Sequence, residues 1–180
     1  MSLANKISLV RILLVPCIVA SLLYYTPERD WLRWVAFGLF LAGVISDGVD
    51  GFVARSQRQQ SQLGTLLDPL ADKFLILGTL ISLSTIRAIP EWMRLPGWFN
   101  LIIISRDVVL VAGTVVLFLL TGKLSVRPSW VGKCTIVAQM AVIPMALLGM
   151  PGLPIVLMVV AGLTVVSGLG YMWMATKMLS

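Results

Sequence analysis

Residues 134–176 read CTIVAQMAVIPMALLGMPGLPIVLMVVAGLTVVSGLGYMWMAT, a run of 43 residues without a charged side chain. A transmembrane helix needs about 20 consecutive apolar residues, so this run is long enough for two. Proline and glycine in Met150-Pro151-Gly152-Leu153-Pro154 interrupt a helix. The run therefore predicts two membrane helices with a turn at this pentapeptide.

The composition of the whole chain agrees with a membrane protein. Of 180 residues, 58% are apolar and 12% are charged, whereas a soluble domain has about 45–50% apolar and about 25% charged residues. This excess excludes an ordinary soluble enzyme, and it excludes intrinsic disorder, which requires low hydrophobicity. We expect one membrane domain over residues 1–180. The chain has no histidine, so histidine is excluded as a catalytic base or metal ligand.

The remaining spans are less uniform than the last two. Only 13 uncharged residues separate Arg33 from Asp47, and 13 separate Lys73 from Arg87. Neither run crosses a bilayer alone, so each helix must continue through acidic residues near the membrane surface. A signal peptide is the alternative for the first segment, but no convincing cleavage site follows it. The six predicted spans are 7–25, 31–55, 64–86, 98–121 and two within 134–176.

Basic residues are distributed unequally between the two ends of these spans. Six spans place both termini on one side, and the positive-inside rule makes the more basic side cytoplasmic. The net charge of +6 fits orientation and contact with anionic membrane lipids better than nucleic acid binding. We predict a multi-pass protein of a bacterial inner membrane, with both termini and the active site cytoplasmic. The outer loops contain Arg29, Arg33, Arg87 and Arg94, and the cytoplasmic side contains Lys6, Arg11, Arg55, Arg58, Lys73, Lys123, Arg127, Lys133 and Lys177.

Four of the eight acidic residues lie within 26 residues of each other, around the ends of spans two and three. Asp47 and Asp50 are spaced i,i+3, and Asp68 and Asp72 are spaced i,i+4, so each pair shares one helix face. Because a short loop joins the two spans, we expect the pairs to meet across an antiparallel helix pair. Converging carboxylates repel each other, so they bind either protons or divalent cations. Oxygen ligands favour Mg²⁺, Mn²⁺ or Ca²⁺.

A solvated acidic rim is the alternative, but these acids stand among glycine, alanine and leucine. Ionisable residues inside membrane spans are functional candidates by default. Small residues at Gly51, Ala54 and Gly64 allow a ligand to approach the backbone, and Arg55 is suited to bind phosphate. Acids, a metal and an arginine together indicate phosphoryl-type transfer, in which a spare carboxylate deprotonates an acceptor hydroxyl. The residues alone do not assign that base among the four aspartates.

These residues form a motif that resembles the signature of a known family, the CDP-alcohol phosphotransferases (CDP-alcohol phosphatidyltransferases). The match is Asp47-x-x-Asp50-Gly51-x-x-Ala54-Arg55, eight residues, then Gly64-x-x-x-Asp68-x-x-x-Asp72. The length, the six spans and an Asn5-x-x-Ser8-x-x-Arg11 element are also similar. The resemblance implies an all-α integral membrane bundle of six transmembrane helices, usually a homodimer, with a polar cavity facing the cytoplasm. Members transfer a phosphatidyl or similar group from a CDP-linked donor to an alcohol and release CMP.

The resemblance also implies roles for individual residues. Asp47, Asp50 and Asp68 would hold Mg²⁺ or Mn²⁺, with two ions expected, and Asp72 would be the catalytic base with some metal contact. The donor, CDP-diacylglycerol, would bind in a pocket shaped by other motif residues. Asn5, Ser8 and Arg11 of the amino-terminal element would line the same pocket, and a helix start with an interfacial anchor is the alternative for them. The residues implied for the CDP pocket are Gly51, Ala54, Arg55, Gly64, Asn5 and Ser8.

The acceptor alcohol is predicted from further similarities. Leu67-Asp68-Pro69-x-Ala71-Asp72-Lys73 resembles the branch of the family that makes phosphatidylglycerophosphate or cardiolipin, and Gly132-Lys133-x-Thr135 with Gln139 also occurs in that branch. The two acceptors, glycerol 3-phosphate and phosphatidylglycerol, each carry a phosphate and a primary hydroxyl. Solvated loop or headgroup contacts are the alternative for Lys123 and Arg127. The candidates for binding the acceptor phosphate are Lys133, Arg127 and, in reserve, Arg106.

The surroundings of Arg106 leave both members of this branch open. In phosphatidylglycerophosphate synthases the corresponding arginine–acid pair precedes a Ser-Gly-Leu-Arg-like element, whereas residues 108–113 contain no second arginine. Ile104-Ser105-Arg106-Asp107-Val108 is closer to the cardiolipin synthases of this fold. We rank transfer to glycerol 3-phosphate first, because it is the commonest role of small bacterial members, and cardiolipin synthesis second. For Arg106 with Asp107, an intramembrane ion pair that fixes helix packing is the alternative.

Two other functions are weighed against these synthases. A small cation transporter would explain intramembrane acids and six helices, but it would not explain the glycine and arginine spacing around the acids. A hydrolase acting on the same donor would release CMP without any acceptor alcohol. Metal-dependent CMP release from a CDP-lipid therefore separates the transporter from the enzymes, and dependence on an acceptor separates the two kinds of enzyme.

Overall fold

The structure, a computed structural model, describes residues 3–57, 62–121 and 130–179. In these ranges the regular structure is helical, with six α-helices and one short 3-10 helix, Pro27–Arg29. The first four α-helices begin and end within four residues of the bounds predicted from the sequence, and the all-α fold class is confirmed. The helices are α1 (Leu3–Leu23), α2 (Trp31–Gln57), α3 (Gln62–Thr85), α4 (Gly97–Thr121), α5 (Trp130–Leu148) and α6 (Leu153–Leu179).

Three of the described helices are long and apolar enough to cross a membrane, over Gly97–Val116, Trp130–Leu148 and Leu153–Met174. Shorter apolar segments cover Leu9–Leu23 in α1 and Trp31–Ser46 in α2. In α2 and α3, the aspartates and neighbouring basic residues interrupt the apolar run, as their short uncharged segments predict. The three long helices indicate a membrane protein, and the six-span bundle with its cavity stays a prediction.

The break between α5 and α6 lies where the sequence predicts it. α5 ends at Leu148, and Gly149 follows with a φ of +62°, a left-handed conformation that glycine adopts without steric cost. The Gly149 N–H donates to the Ala146 carbonyl at 3.1 Å, and the Met150 N–H donates to the Met145 carbonyl at 3.0 Å. These two bonds form a Schellman cap, which satisfies the last carbonyl groups of α5.

The chain forms two compact units, one of Met1–Leu95 with Ala146–Gly149 and one of Pro96–Met145 with Met150–Ser180. In the first unit, α1 packs against α2 and α3, and α2 also contacts α3. In the second unit, α4 packs against α6. Each unit therefore places its own set of candidate residues, and each is described by itself below.

Two glycines allow the helices of the first unit to approach closely. A Cβ atom at Gly43 of α2 would lie 2.7 Å from Leu75 Cδ2 of α3. A Cβ atom at Gly78 of α3 would lie 2.8 Å from Val15 Cγ1 of α1. Because packed interiors leave little free space, any larger residue at either position forces its neighbour to move. The glycines thus set the distance of α3 from both α1 and α2.

A cluster of arginine and tryptophan lies at one end of the first unit. Arg33, in the first turn of α2, donates to Asp30 Oδ2 at 2.7 Å and to the Leu147 carbonyl at 3.4 Å. Its guanidinium carbon lies 5.1 Å from the Trp34 ring centroid and 5.3 Å from that of Trp92, within the range of cation–π attraction. The start of α2, the α3–α4 connection and the end of α5 therefore meet at this end.

Polar side chains join α5 to α6 in the second unit. The Thr135 hydroxyl lies 3.4 Å from the Leu163 carbonyl, to which it donates, and Gln139 Nε2 donates to Thr164 Oγ1 at 3.3 Å. Hydrogen bonds of this kind hold helices together where apolar surroundings provide no hydrophobic driving force. Two residues of the branch motif, Thr135 and Gln139, are therefore buried against α6.

Candidate active site

The four aspartates of the motif lie on two neighbouring helices of the first unit. Asp47 and Asp50 belong to α2, and Asp68 and Asp72 belong to α3, as the motif predicts. The side chain of Asp72 is among those that the structure describes. The side chains of Asp47, Asp50 and Asp68 lie outside the described part, so their role as metal ligands stays a prediction.

The close contact between α2 and α3 lies about one turn from these acids. Asp47 follows Gly43 by four residues and Asp72 precedes Leu75 by three, which corresponds to rises of about 6 and 4.5 Å. Along α2, Asp47 lies 14 residues after Arg33, a rise of about 21 Å. The acidic segments are thus on adjoining helices, far along α2 from the arginine–tryptophan cluster.

Asp72 is held by an arginine of α1. Arg11 Nη1 donates to Asp72 Oδ1 at 2.5 Å. The Arg11 side chain is 1% exposed, whereas the Asp72 side chain is 27% exposed. The carboxylate is therefore the accessible member of the pair. The guanidinium also compensates for one of the four negative charges, which lowers the repulsion expected within the cluster.

The contacts of α1 with α3 give the relative direction of these helices. Arg11 contacts Asp72, and Val15, four residues further along α1, contacts α3 at Gly78. Both contacts advance toward the carboxyl ends of the two helices, so α1 and α3 run in the same direction. This direction is the one that the first and third spans of an up-and-down arrangement require.

Sequence reasoning did not identify the partner of Arg11. The residue stands in an apolar stretch of α1, between Val10 and Ile12, and a charge in such a stretch signals a partner within the membrane. The pairing with Asp72 spans 61 residues of sequence. Any of the four aspartates satisfied the signal equally well, so the choice among them required the packing of α1 on α3.

The remaining motif residues lie on the same three helices. The structure describes a helical backbone at each of these positions, and their side chains lie outside its described part. Their grouping on the helices that carry the aspartates agrees with one pocket, which stays a prediction. They are Asn5 and Ser8 on α1, Gly51, Ala54 and Arg55 on α2, and Gly64 on α3.

Lys133 is an exposed cation of the second unit. It lies in the first turn of α5, and its Nζ is 5.3 Å from the Trp130 ring centroid. An aromatic ring at this distance steadies the ammonium group without covering it. Lys133 is thus accessible to an anionic ligand. Two other predicted cations, Lys123 and Arg127, lie outside the residues that the structure describes.

Arg106 has a different environment from Lys133. It is buried in α4, where its Nη1 donates to Asp107 Oδ1 at 2.9 Å and its Nη2 donates to Ser167 Oγ of α6 at 3.0 Å. Gly168 of α6 is close to the aliphatic part of the same side chain. Both Nη groups are therefore engaged, and the bond to Ser167 joins α4 to α6. This environment favours the helix-packing alternative for Arg106.

The ligand types of the motif fit a hard divalent cation. Four carboxylates offer oxygen atoms, which Mg²⁺ and Mn²⁺ prefer, and their spacing places each pair on one helix face. The chain has no histidine, and its two cysteines, Cys17 and Cys134, are exposed on α1 and α5. The donor set on α2 and α3 is thus composed of oxygen ligands alone.

Long apolar helices and an acidic motif on two neighbouring helices define a helical membrane protein with a candidate metal site. The family model described as CDP-alcohol phosphatidyltransferase matches residues 1–169. The chain belongs to the CDP-alcohol phosphatidyltransferase family, as the motif resemblance predicts. Membership in a family of transferases confirms the prediction of an enzyme and disfavours the cation transporter.

Three bacterial proteins illustrate what the chain is similar to. The chain is 32% identical to a "Probable phosphatidylglycerophosphate synthase" of Mycobacterium tuberculosis, over 98% of this chain and 82% of that protein. It is 35% identical to a "CDP-diacylglycerol--glycerol-3-phosphate 3-phosphatidyltransferase" of Aquifex aeolicus, over 75% of this chain and 69% of that protein. A protein of the same name from Escherichia coli K12 is 33% identical, over 74% of this chain and 70% of that protein.

Proposed function

We propose that this protein is a phosphatidylglycerophosphate synthase, which transfers the phosphatidyl group of CDP-diacylglycerol to glycerol 3-phosphate. One observation carries the proposal. A chain with the acidic motif on α2 and α3 is 32–35% identical to proteins named for this donor and this acceptor or for their product. The ranking of glycerol 3-phosphate before phosphatidylglycerol, made from the sequence, agrees with these names.

The reaction is a displacement at phosphorus. The primary hydroxyl oxygen of glycerol 3-phosphate attacks the phosphorus atom that carries the diacylglycerol. A P–O bond to the glycerol forms, the P–O bond to CMP breaks, and CMP leaves with the electron pair of that bond. The hydroxyl proton passes to a carboxylate acting as general base, which we assign to Asp72. The products are phosphatidylglycerophosphate, CMP and one proton.

Asp47, Asp50 and Asp68 would hold Mg²⁺ or Mn²⁺, and we propose two ions. When bound, such cations neutralise the negative charge of a diphosphate group. The environment of Asp72 supports a different role for that residue, because the positive charge of Arg11, 2.5 Å from its carboxylate, repels a metal ion. We therefore propose that three aspartates bind metal and that the fourth, Asp72, accepts the proton.

The register of α2 against α3 supports a shared site. Asp50 is seven residues after Gly43, and Asp68 is seven residues before Leu75. If the two consecutive helices run antiparallel, the contact of Gly43 with Leu75 puts Asp50 level with Asp68. Asp47 then falls level with the turn that contains Asp72. Equal offsets from one contact are what a site assembled from both helices requires.

Glycerol 3-phosphate needs a cation of its own, because the donor diphosphate would occupy the metal site. Lys133 is exposed near the start of α5, and we propose that it binds the acceptor phosphate, with Arg127 nearby in sequence as a second candidate. Arg106 is buried by its contacts with Asp107 and Ser167. We propose a packing role for it, with acceptor binding held in reserve.

We propose a six-span arrangement in a bacterial inner membrane, with both termini and a polar cavity on the cytoplasmic side. The arginine–tryptophan cluster supports it, because the start of α2, the α3–α4 connection and the end of α5 belong to one end in such an arrangement. Tryptophan is also enriched at membrane interfaces. We also propose a homodimer, which the resemblance to the family implies.

The test measures CMP released from CDP-diacylglycerol by purified protein with Mg²⁺. Glycerol 3-phosphate, phosphatidylglycerol and water alone are compared as acceptors. We expect release with glycerol 3-phosphate and none in excess chelator. Release that needs phosphatidylglycerol instead would establish cardiolipin synthesis, and release with water alone would establish a hydrolase. The absence of release under all conditions would contradict the proposed transfer.

A further inference from the structure

Arg11 is a buried cation inside the apolar helix α1, and its position needs an explanation. Its side chain is 1% exposed, and its guanidinium contacts the carboxylate of Asp72. Apolar residues further along α1 and beside Asp72 on α3 are also buried, among them Ile18, Ala71 and Leu75. The fold therefore buries a full positive charge in α1, where it contacts the carboxylate of Asp72.

Stability alone is a weak reason for such a pair. Replacing a buried ion pair by apolar residues of similar volume is often neutral or stabilising, because desolvation of the two charges offsets their attraction. Packing of α1 on α3 is also provided without it, since Val15 fits against Gly78. A role connected with the chemistry of Asp72 explains the arginine better than a role in folding.

The exposed fractions of the Arg11 and Asp72 side chains indicate whether Arg11 binds a ligand or positions Asp72. A ligand reaches the Asp72 side chain, which is 27% exposed, but it does not reach the Arg11 side chain at 1%. Arg11 therefore has no surface on which to hold a phosphate group, in contrast to the exposed Lys133. It acts on the reaction through the carboxylate that it contacts.

The scaffold around Arg11 suits the task of holding an orientation. The contact of Val15 with Gly78 fixes α1 against α3 just beyond the ion pair. The guanidinium group is planar and rigid, and its donors have fixed directions, whereas the ammonium of lysine is a point charge on a flexible chain. A hydrogen bond from such a group restricts rotation of the Asp72 carboxylate about its side-chain bonds.

We propose that Arg11 is a positioning residue, which holds the Asp72 carboxylate in the orientation that accepts the proton of the acceptor hydroxyl. The proposal rests on the proposed function, in which Asp72 is the base. It predicts a specific pattern: loss of Arg11 lowers the rate of the chemical step and leaves donor binding nearly unchanged. A lysine, which keeps the charge without the fixed geometry, restores part of the rate.

The kinetic experiment compares Arg11→Met and Arg11→Lys with the wild-type protein. We expect kcat to fall about 100-fold in Arg11→Met, as for other misplaced catalytic groups, with the KM for CDP-diacylglycerol within about threefold of wild type. In Arg11→Lys we expect a kcat about three- to tenfold below that of wild type, because the charge remains near the carboxylate but the fixed geometry of the guanidinium is lost. Arg33→Met is the matched control, since it also breaks a pair with an aspartate, Asp30. Its kcat should equal that of wild type.

A second experiment needs no turnover. The melting temperatures of Arg11→Met, Asp72→Asn and the double variant are measured in excess chelator. Asp72→Asn takes this carboxylate from the buried guanidinium of Arg11, so we expect its melting temperature to fall by on the order of 10 °C. Arg11→Met leaves a carboxylate that is 27% exposed, so its melting temperature should fall by less. The double variant removes both groups, so its melting temperature should fall by much less than the two single losses added together. Additive losses would show that the two side chains are not coupled and would overturn the proposal.

The kinetic outcomes distinguish this proposal from the proposed function. Wild-type protein that releases no CMP with glycerol 3-phosphate contradicts the function, whereas the melting experiment still reports the ion pair. Active wild-type protein with unchanged kcat in Arg11→Met overturns the positioning role alone. A large rise in donor KM at constant kcat would make Arg11 a donor ligand, which also overturns it. If Arg11→Met does not fold, a wild-type kcat in Arg11→Lys overturns the proposal, and a kcat reduced at unchanged donor KM supports it.

Discussion

Two arginines inside apolar helices, Arg11 and Arg106, form contacts that matter for the stability of this protein. Arg11 of α1 pairs with Asp72 of α3, and Arg106 bonds to Asp107 and Ser167. Removing Asp72 takes a compensating charge from the buried guanidinium of Arg11, and removing Asp107 does the same to Arg106, at a cost of up to about 3–5 kcal/mol. Substitutions at these positions therefore alter stability together with activity, and both quantities must be measured.

Replacing Asp47, Asp50 or Asp68 by asparagine should abolish turnover. Each change removes a negatively charged oxygen ligand while keeping the size of the side chain, so metal affinity falls. CMP release and Mn²⁺ binding are measured for each variant. Glu28→Gln is the matched control, because Glu28 is an exposed acid in the predicted outer loop, and it should behave as wild type. Robust activity of the wild-type protein in excess chelator would contradict metal dependence.

Replacing Asp72 by asparagine should lower kcat by about 10²–10⁴-fold, the usual effect of losing a general base. Donor affinity should remain within a few-fold of wild type, because a base is needed for proton removal and less for holding CDP. Donor affinity and turnover are compared below the melting temperature of the variant, which loss of the Arg11–Asp72 ion pair lowers. Large and equal losses of both would instead make Asp72 a metal ligand or a structural residue.

At the level of helices, two small residues let α3 lie against both of its neighbours. Substituting Gly43 by leucine should push α2 away from Leu75 of α3 and destabilise the protein by about 1–3 kcal/mol, as overpacking usually does. Thermal unfolding is measured together with CMP release, since the acids lie about one turn away. Gly38→Leu on the same helix is the control, because no atom lies within 4 Å of its Cβ position. Equal stability of both variants would contradict close packing at Gly43.

The two described cations of the second unit should respond differently to alanine. Lys133→Ala should raise the KM for glycerol 3-phosphate about tenfold or more, since hydrogen bonds to charged groups contribute about 1.5–3 kcal/mol, and it should leave the donor KM nearly unchanged. Arg106→Ala should mainly lower yield and melting temperature, because its contacts join α4 to α6. An unchanged acceptor KM in Lys133→Ala, with a collapse in Arg106→Ala, would place the acceptor pocket elsewhere.

Helix positions were more predictable than helix contacts. The turn after α5 follows from proline and glycine in 150–154, and the ends of α2 and α3 follow from the short uncharged runs and the acids beyond them. The pair of Arg106 with Asp107 could be weighed from the sequence, because the two residues are adjacent. The contact of Arg11 with Asp72 was not predictable, because a lone charge in an apolar helix indicates that a partner exists without indicating which one. Ser167, a common polar residue in a charge-free run, gave no signal of its contact with Arg106.

Across the molecule, the distribution of charge agrees with the proposed reaction of two anionic substrates. In the first unit, Arg33 of the arginine–tryptophan cluster and Asp47 of the acidic motif lie about 21 Å apart along α2. One end of the unit therefore carries a cation with aromatic rings, and the acidic motif lies far from it. Both substrates are anionic, and a chain with a net charge of +6 attracts anionic lipids and phosphate esters. The four acids of the motif lie within residues 47–72, where bound metal would offset their negative charge.

The choice of acceptor is tested most directly by competition. Purified protein with Mg²⁺ and CDP-diacylglycerol receives deuterium-labelled glycerol 3-phosphate and unlabelled phosphatidylglycerol together, and the lipid products are identified by mass. We expect labelled phosphatidylglycerophosphate, with one CMP released for each labelled lipid. Unlabelled cardiolipin as the product, or CMP released without a labelled lipid, would contradict the proposed transfer to glycerol 3-phosphate.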